Sequence, residues 1–289
     1  RYLFDKYVIK WVEEGDDEVH AIRMLRLNTS RGYQSLVRES EDSDTAFALL
    51  QSMLYHSQQL TTHYWLTPLL NYLLKHGGKH AHLYLEYLDN YLLCSASQDP
   101  LIIRTRRFLQ QPWYEDFGLV DIEQCLNKPN GTAFSHYWFY KLEYILWKKY
   151  RGQKDRLAWR AFRMTAKNSV EHVSPQNPQE CDTNKVSKEL LDIFGNLALV
   201  SRGVNSEYGN KPYVEKQARF NARNAQRIDS LKLALIYEKP YWNDDRAKEH
   251  RAQMIAAYQD YFVAVDNQSI RLGRTAVLNE DLGLQQRIH

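Results

Sequence analysis

Glu171 and His172 stand side by side in the run Val170-Glu171-His172-Val173-Ser174-Pro175-Gln176-Asn177-Pro178, and Asn196 follows in Gly195-Asn196-Leu197-Ala198-Leu199, with Asn205 beyond it. An imidazole, a carboxylate and two amides are a set that hydrolysis of a phosphodiester can use. That reaction needs an activated water, a cation for the negative charge of the transition state, and a hold on the phosphate. A neutral imidazole with an ordinary pKa of ~6.5 is a competent base at cellular pH, which suits His172 to the first task. Hard oxygen donors such as the Glu171 carboxylate and an Asn carbonyl suit Mg²⁺ or Mn²⁺, one ion per site, acting as a Lewis acid on the scissile phosphate. Neighbouring residues on a strand face opposite ways, so Glu171 and His172 can serve one site only if the strand ends there. Pro175 permits that ending.

The elements around these residues read as strand, loop, strand, helix. Ser169 to Val173 predicts a short strand, and Pro175 and Pro178 forbid its regular continuation. Residues 179–190 read as a polar connection. Asp192 to Val200 predicts a second strand, with Gly195 marking a bulge or a close backbone approach. From Pro212 to about Arg227 a 3.6-residue period returns. Upstream, residues 1–164 read as helical throughout, Gly77-Gly78 separating two helices and Asn127-Lys128-Pro129-Asn130-Gly131 forming a turn before an aromatic helix from Phe134 to Tyr150. Ser40-Glu41-Asp42-Ser43-Asp44 reads as a polar loop able to cap the helix after it. Helices are predicted again at 229–238 and 244–263, and the last ~25 residues carry little pattern. The expected fold is mainly α, a helical bundle with an embedded small ββα-metal motif, divided into a helical connector over 1–150 and a catalytic domain over 151–289 with its ββα core at about 168–228.

These residues resemble a known family. The segment from Glu171 to Phe220 is similar to the C-terminal nuclease domain of GmrSD-type, modification-dependent restriction enzymes. Their pattern is Glu-His-x-x-Pro-Gln, then Gly-Asn-Leu-x-Leu, then a polar stretch with Asn, an aromatic and a Lys. Here it is Glu171-His172-Val173-Ser174-Pro175-Gln176, Gly195-Asn196-Leu197-Ala198-Leu199, Asn205-Ser206, Asn210-Lys211-Pro212-Tyr213 and Lys216. The nine-residue step from Asn196 to Asn205 also resembles the HNH (His-Me finger) domain of RNA-guided nucleases.

The resemblance implies a metal-dependent DNA endonuclease of restriction or phage defence. His172 would be the general base, and Glu171 would take the metal position where many HNH nucleases have Asp. Asn196 would brace the loop and orient His172. Asn205 would be the last metal ligand, with Asn210 as its rival. Lys216 would face phosphate from the helix. Larger members carry an N-terminal ParB-like NTPase domain whose motifs do not occur here, which makes that domain an expected partner beside duplex DNA. A phosphorothioate-sensing, SspE-like subgroup is one expected home, and glucosylated or methylated bases are other possible targets of such systems. An inactive HNH-fold DNA-binding module and a helical protein-interaction domain are the competing readings.

Charge distribution agrees with a phosphate-binding surface. Of 289 residues, 38 are Lys or Arg and 35 Asp or Glu, a net of only +3. Residues 1–150 carry 16 Lys+Arg against 18 Asp+Glu, a net of −2, whereas residues 148–227 carry 16 against 8, a net of +8. Lys216, Arg219, Arg223 and Arg227 recur at steps of three, four and four, which predicts one basic helix face. Lys149, Arg160 and Arg163 are further candidates, interleaved with the core-type aromatics Trp147, Trp159 and Phe162, and Arg104, Arg106 and Arg107 could extend the surface. His76, His80 and His82 flank the glycine pair without a nearby acid or Cys, and read as loop and helix-start residues rather than as metal ligands. His56 and His63, seven apart, read as packing residues. Cys94, Cys125 and Cys181 are scattered with no Cys-x-x-Cys, so no zinc knuckle is predicted. No Gly-x-x-x-x-Gly-Lys-Ser/Thr predicts an NTP or other organic cofactor site, and no apolar run approaches the ~20 residues of a membrane span. A cytoplasmic protein is expected, with oligomerisation open.

Overall fold

The computed structural model describes residues 1–14, 17–30, 32–39, 44–57, 63–111, 117–177, 185–224 and 228–285. Pro178, Cys181 and Arg227 lie outside them, as do residues 40–43 of the expected capping loop.

The chain is mainly helical, but its first forty residues are not. After the short helix α1 (Tyr2–Tyr7), β1 (Lys10–Glu14) pairs antiparallel with β2 (Asp17–Ala21), and β3 (Leu25–Ser30) with β4 (Tyr33–Arg38). Trp11 and Val12, expected on a helix, lie on β1 opposite His20 and Val19. Val19, His20 and Ala21 are all buried on β2, and Gly32 takes a φ of +81° between β3 and β4, where glycine is unstrained.

Next come α2 (Thr45–Ser57), α3 (Leu66–His76), α4 (Ala81–Leu93), α5 (Leu101–Gln110), α6 (Ile122–Asn127) and α7 (His136–Tyr150). Asp44 caps α2 by accepting a hydrogen bond from Phe47 N at 3.0 Å, and Gly77 closes α3 at a φ of +64°. Helix α7 is the central member. It packs against α2, and it buries Tyr137 and the whole run from Phe139 to Trp147. Two of those buried residues are charged and tie other helices to it. Lys141 donates to Asp89 at 2.5 Å and to Asn90 at 2.7 Å on α4. Glu143 accepts from Ser230 Oγ and Leu231 N at the start of α10 (Leu231–Tyr237).

The site is built from the chain after α7. Strand β5 (Ser169–His172) pairs antiparallel with β6 (Leu197–Val200), placing His172 opposite Leu197 and Glu171 opposite Ala198. The second strand is shorter than its sequence suggests, because Phe194–Asn196 forms a 3₁₀ turn. Gly195 marks a close approach, since a Cβ there would stand 2.0 Å from the Ala247 carbonyl of α11 (Asp244–Gln285). Helix α8 (Arg202–Tyr208) directly follows β6, capped by Ser201 accepting from Val204 N and closed by Gly209 at a φ of +46°. Helix α9 (Tyr213–Arg223) comes next. Thus β5, β6 and α8 complete a strand–strand–helix unit one helix earlier than the period from Pro212 implied. Helix α11 runs through the region that reads as weakly patterned and ends at Gln285.

Candidate active site

His172 ends β5, and its backbone turns immediately into the loop at Val173. Its side chain is buried and its Nε2 lies 2.8 Å from an oxygen of Asp192, whose own side chain is about half exposed. An ionised carboxylate only accepts, so Nε2 carries the proton and the lone pair sits on Nδ1. Motif reading did not single out Asp192, which appeared only as the start of a strand; the fold sets it against His172.

Gly131 fixes Asp192 from the other side. Its N–H donates to the Asp192 carbonyl at 3.0 Å, its φ is +53°, and a Cβ would stand 2.7 Å from the Asp192 carboxylate. Gly131→Ala is therefore expected to cost about 1–2 kcal/mol through the left-handed backbone and to push Asp192 off His172. Urea unfolding and a DNA-cleavage assay check this, and a variant that cuts at the wild-type rate would show that the Asp192 contact is incidental.

Glu171 is buried, and its carboxylate accepts from Lys216 Nζ at 2.5 Å. The same ammonium donates to the His172 carbonyl at 2.7 Å. Lys216 is fully enclosed, on the α9 face formed by Tyr213, Lys216 and Phe220. Burial pushes the Glu171 carboxyl up and the Lys216 amine down, while each partner's charge opposes the shift of the other. Lys216 therefore does not extend outward as a phosphate contact; it neutralises Glu171 and pins the end of β5.

Asn196 is fully buried. Its Oδ1 accepts from Ser174 N and Trp242 Nε1, both at 3.0 Å, and its Nδ2 donates to the Leu191 carbonyl at 2.8 Å. Its backbone carbonyl accepts from Val173 N. It thus ties the chain on both sides of the cavity, at Val173 and Ser174 and at Leu191. Below it, Lys232 Nζ, also buried, donates to the carbonyls of Phe194 and Leu197.

Glu171, His172, Asn205, Asn210 and Lys216 line one cavity of about 430 Å³, whose other walls include Thr132, His136 and Gln176. The structure brings together every predicted catalytic and metal-binding residue except Asn196, which lies behind the wall. Asn205 is half-buried on α8 and Asn210 exposed after it. Among the described residues no group of three or more His, Cys, Asp or Glu could hold a metal. The donor set is instead one carboxylate, with one oxygen on Lys216, plus amide oxygens. That suits Mg²⁺, which binds through one or two carboxylates and keeps water and phosphate oxygens.

The predicted basic face divides. Lys216 points inward, whereas Arg219 pairs with Glu215 at 2.9 Å and Arg223 pairs with Glu207. Lys149 pairs with Asp260 at 3.3 Å, Arg160 donates to the Arg151 carbonyl and Arg163 to the Phe162 carbonyl. Trp147, Trp159 and Phe162 are core, as expected. Arg104 braces a loop rather than extending a surface, donating to the carbonyls of Leu92, Ser97 and Asp99. His82 bonds Tyr144 Oη at 2.7 Å. Among the described residues no helix is long and apolar enough to cross a membrane.

No curated protein and no solved structure matches the chain. Residues 120–257 match the family model described as GmrSD restriction endonucleases, C-terminal domain. That span holds every element of the cavity, from Gly131 and α7 to α9, together with the Trp242 that braces Asn196. Residues 120–257 are accordingly a GmrSD-type C-terminal domain, a nuclease domain of the restriction-endonuclease kind.

Proposed function

We propose that this domain is a metal-dependent endonuclease of the HNH type acting on duplex DNA. The observation that carries the reading is the single cavity in which His172, oriented by Asp192, stands beside Glu171 and Asn205. His172 Nδ1 takes a proton from water as the water oxygen bonds to phosphorus. The bond from phosphorus to the 3′-oxygen breaks, and that oxygen takes a proton from solvent, leaving 5′-phosphate and 3′-hydroxyl ends. The Asp192 carboxylate stabilises the imidazolium that forms. Glu171 and Asn205 (or Asn210) would hold a Mg²⁺ or Mn²⁺ ion, which when bound supplies a Lewis acid against the phosphate charge.

Supercoiled plasmid incubated with Mg²⁺ or Mn²⁺ tests this. His172→Ala is expected to lower cleavage by about 10²–10⁴-fold while keeping fold and DNA affinity; cutting at the wild-type rate would refute the assignment. Open circles identify nicking, and linear product identifies double-strand cutting. The Lys216 contact on Glu171 favours one second reading, a DNA-binding scaffold without chemistry. Salt-sensitive binding by a folded wild type that never cuts would select it.

A further inference from the structure

Among the described residues no hydrogen bond, ion pair or ring contact engages His136. It opens α7, and while Tyr137, Phe139 and Tyr140 turn into the core, His136 stays half-buried on the wall of the cavity that contains His172 and Glu171. His172, His82 and His20 are hydrogen-bonded, to Asp192, Tyr144 and Ser52, and the unpartnered nitrogens of His56, His63 and His250 are sealed in the interior, whereas those of His136 are not. Among the described residues nothing bonds either ring nitrogen of His136, and neither nitrogen is among the buried atoms sealed without a partner. Burial holds this imidazole below its ordinary pKa, so at neutral pH one nitrogen carries a hydrogen and can donate. The chain leading into α7 is tied to the partner of His172, because Gly131, in the 3₁₀ turn of Gly131–Ala133 just before the helix, bonds the backbone of Asp192.

Among the described lining residues, Lys216 is the one Lys or Arg. The Lys216 ammonium is committed to Glu171 and the His172 carbonyl, and the nearby Arg219 and Arg223 are paired with glutamates. Among the described lining residues, His136 is the basic side chain with a ring N–H still open to a ligand.

We propose that His136 is a phosphate-contacting residue of this site, its ring N–H donating to a non-bridging oxygen of the phosphodiester on which His172 acts. Its catalytic consequence rests on the nuclease reading above; its binding of phosphate does not. A donor aimed at oxygens that gain charge in the transition state contributes to rate as well as to binding.

The test uses the full chain. Inorganic phosphate, without divalent metal, is titrated into His172→Ala while the imidazole ¹H–¹³C resonances are followed, His136→Gln supplying the assignment. The His136 resonance is expected to shift and saturate, while those of the buried His20 and His56 stay in place. In plasmid cleavage, His136→Phe keeps the ring packing without a donor and is expected to lose about 10²–10³-fold, and His136→Gln, which keeps an N–H, to recover part of it. A resonance that does not move overturns the proposal whatever the variants do. A resonance that moves while His136→Phe cuts at the wild-type rate overturns it too. If the wild type cuts no DNA the nuclease reading fails, and the phosphate titration alone decides whether His136 binds phosphate.

Discussion

Lys216→Met is expected to destabilise the protein by about 3–5 kcal/mol and to abolish cleavage, the usual cost of removing one partner of a buried ion pair. The methionine fills the space of the lysine stem but supplies no charge. Glu171 would then stand buried with its desolvation unopposed, in an environment that already pushes its carboxyl upward. It would take up a proton to avoid a buried charge, and a protonated carboxyl has little affinity for a divalent cation. The His172 carbonyl loses its donor in the same step, so the end of β5 is released beside the base. Urea unfolding at pH 7 measures the first effect and plasmid cleavage the second. Adding Glu171→Gln to Lys216→Met removes the stranded acid, so the double variant is expected to regain much of the stability and none of the activity. Wild-type stability in Lys216→Met alone would mean that the pair is not closed in solution.

The two strands and the chemical groups of the site were legible in the sequence because they depend on short-range signals. Pro175 ends β5 just beyond His172, and Gly195 announces the approach of α11. The helix that carries Asn205 was not legible from the period beginning at Pro212, because α8 is short and is set by Ser201 and Gly209 rather than by a long apolar period. What could not be read is whatever depends on distant partners. Spacing alone places Lys216 with Arg219 and Arg223 on α9, but only the fold shows that Glu171, 45 residues earlier, draws the lysine inward and that Glu207 and Glu215 hold the arginines outside. Asp192 reaches His172, and His136 reaches the cavity, from segments with no motif of their own. The paired strands of residues 10–38 were hidden by a coincidence: Tyr7 and Trp11 stand four apart, which imitates one helix face although a strand begins between them.

Acid is expected to unfold the protein well above the pH at which carboxylates titrate, because two histidines are buried in neutral form. His20 hydrogen-bonds Ser52 Oγ at 2.8 Å and packs beside His56, with ring centroids 5.0 Å apart, under Trp11 and Tyr55. Burial, reinforced by the neighbouring His56 and His63, lowers the His20 pKa to about 3. His56 stacks on Tyr140, and burial together with the Lys167 ammonium lowers its pKa to about 4. In the unfolded chain both groups titrate near pH ~6.5. Above that value neither state binds a proton and folding is unaffected. Between 6.5 and about 4 the unfolded chain takes up two protons that the folded one refuses, so stability falls with pH by up to about 2.7 kcal/mol per unit, or about 1.4 per group. Two units would remove about 5 kcal/mol, comparable to the whole stability of many domains. Urea midpoints between pH 7 and 4.5 measure this. His56→Phe preserves the ring stacked on Tyr140 and is expected to lower the slope by about 1.4 kcal/mol per unit, the contribution of one histidine. An unchanged slope in that variant would place the acid sensitivity elsewhere, with the fully buried His250, whose pKa burial also lowers, as the next histidine to replace.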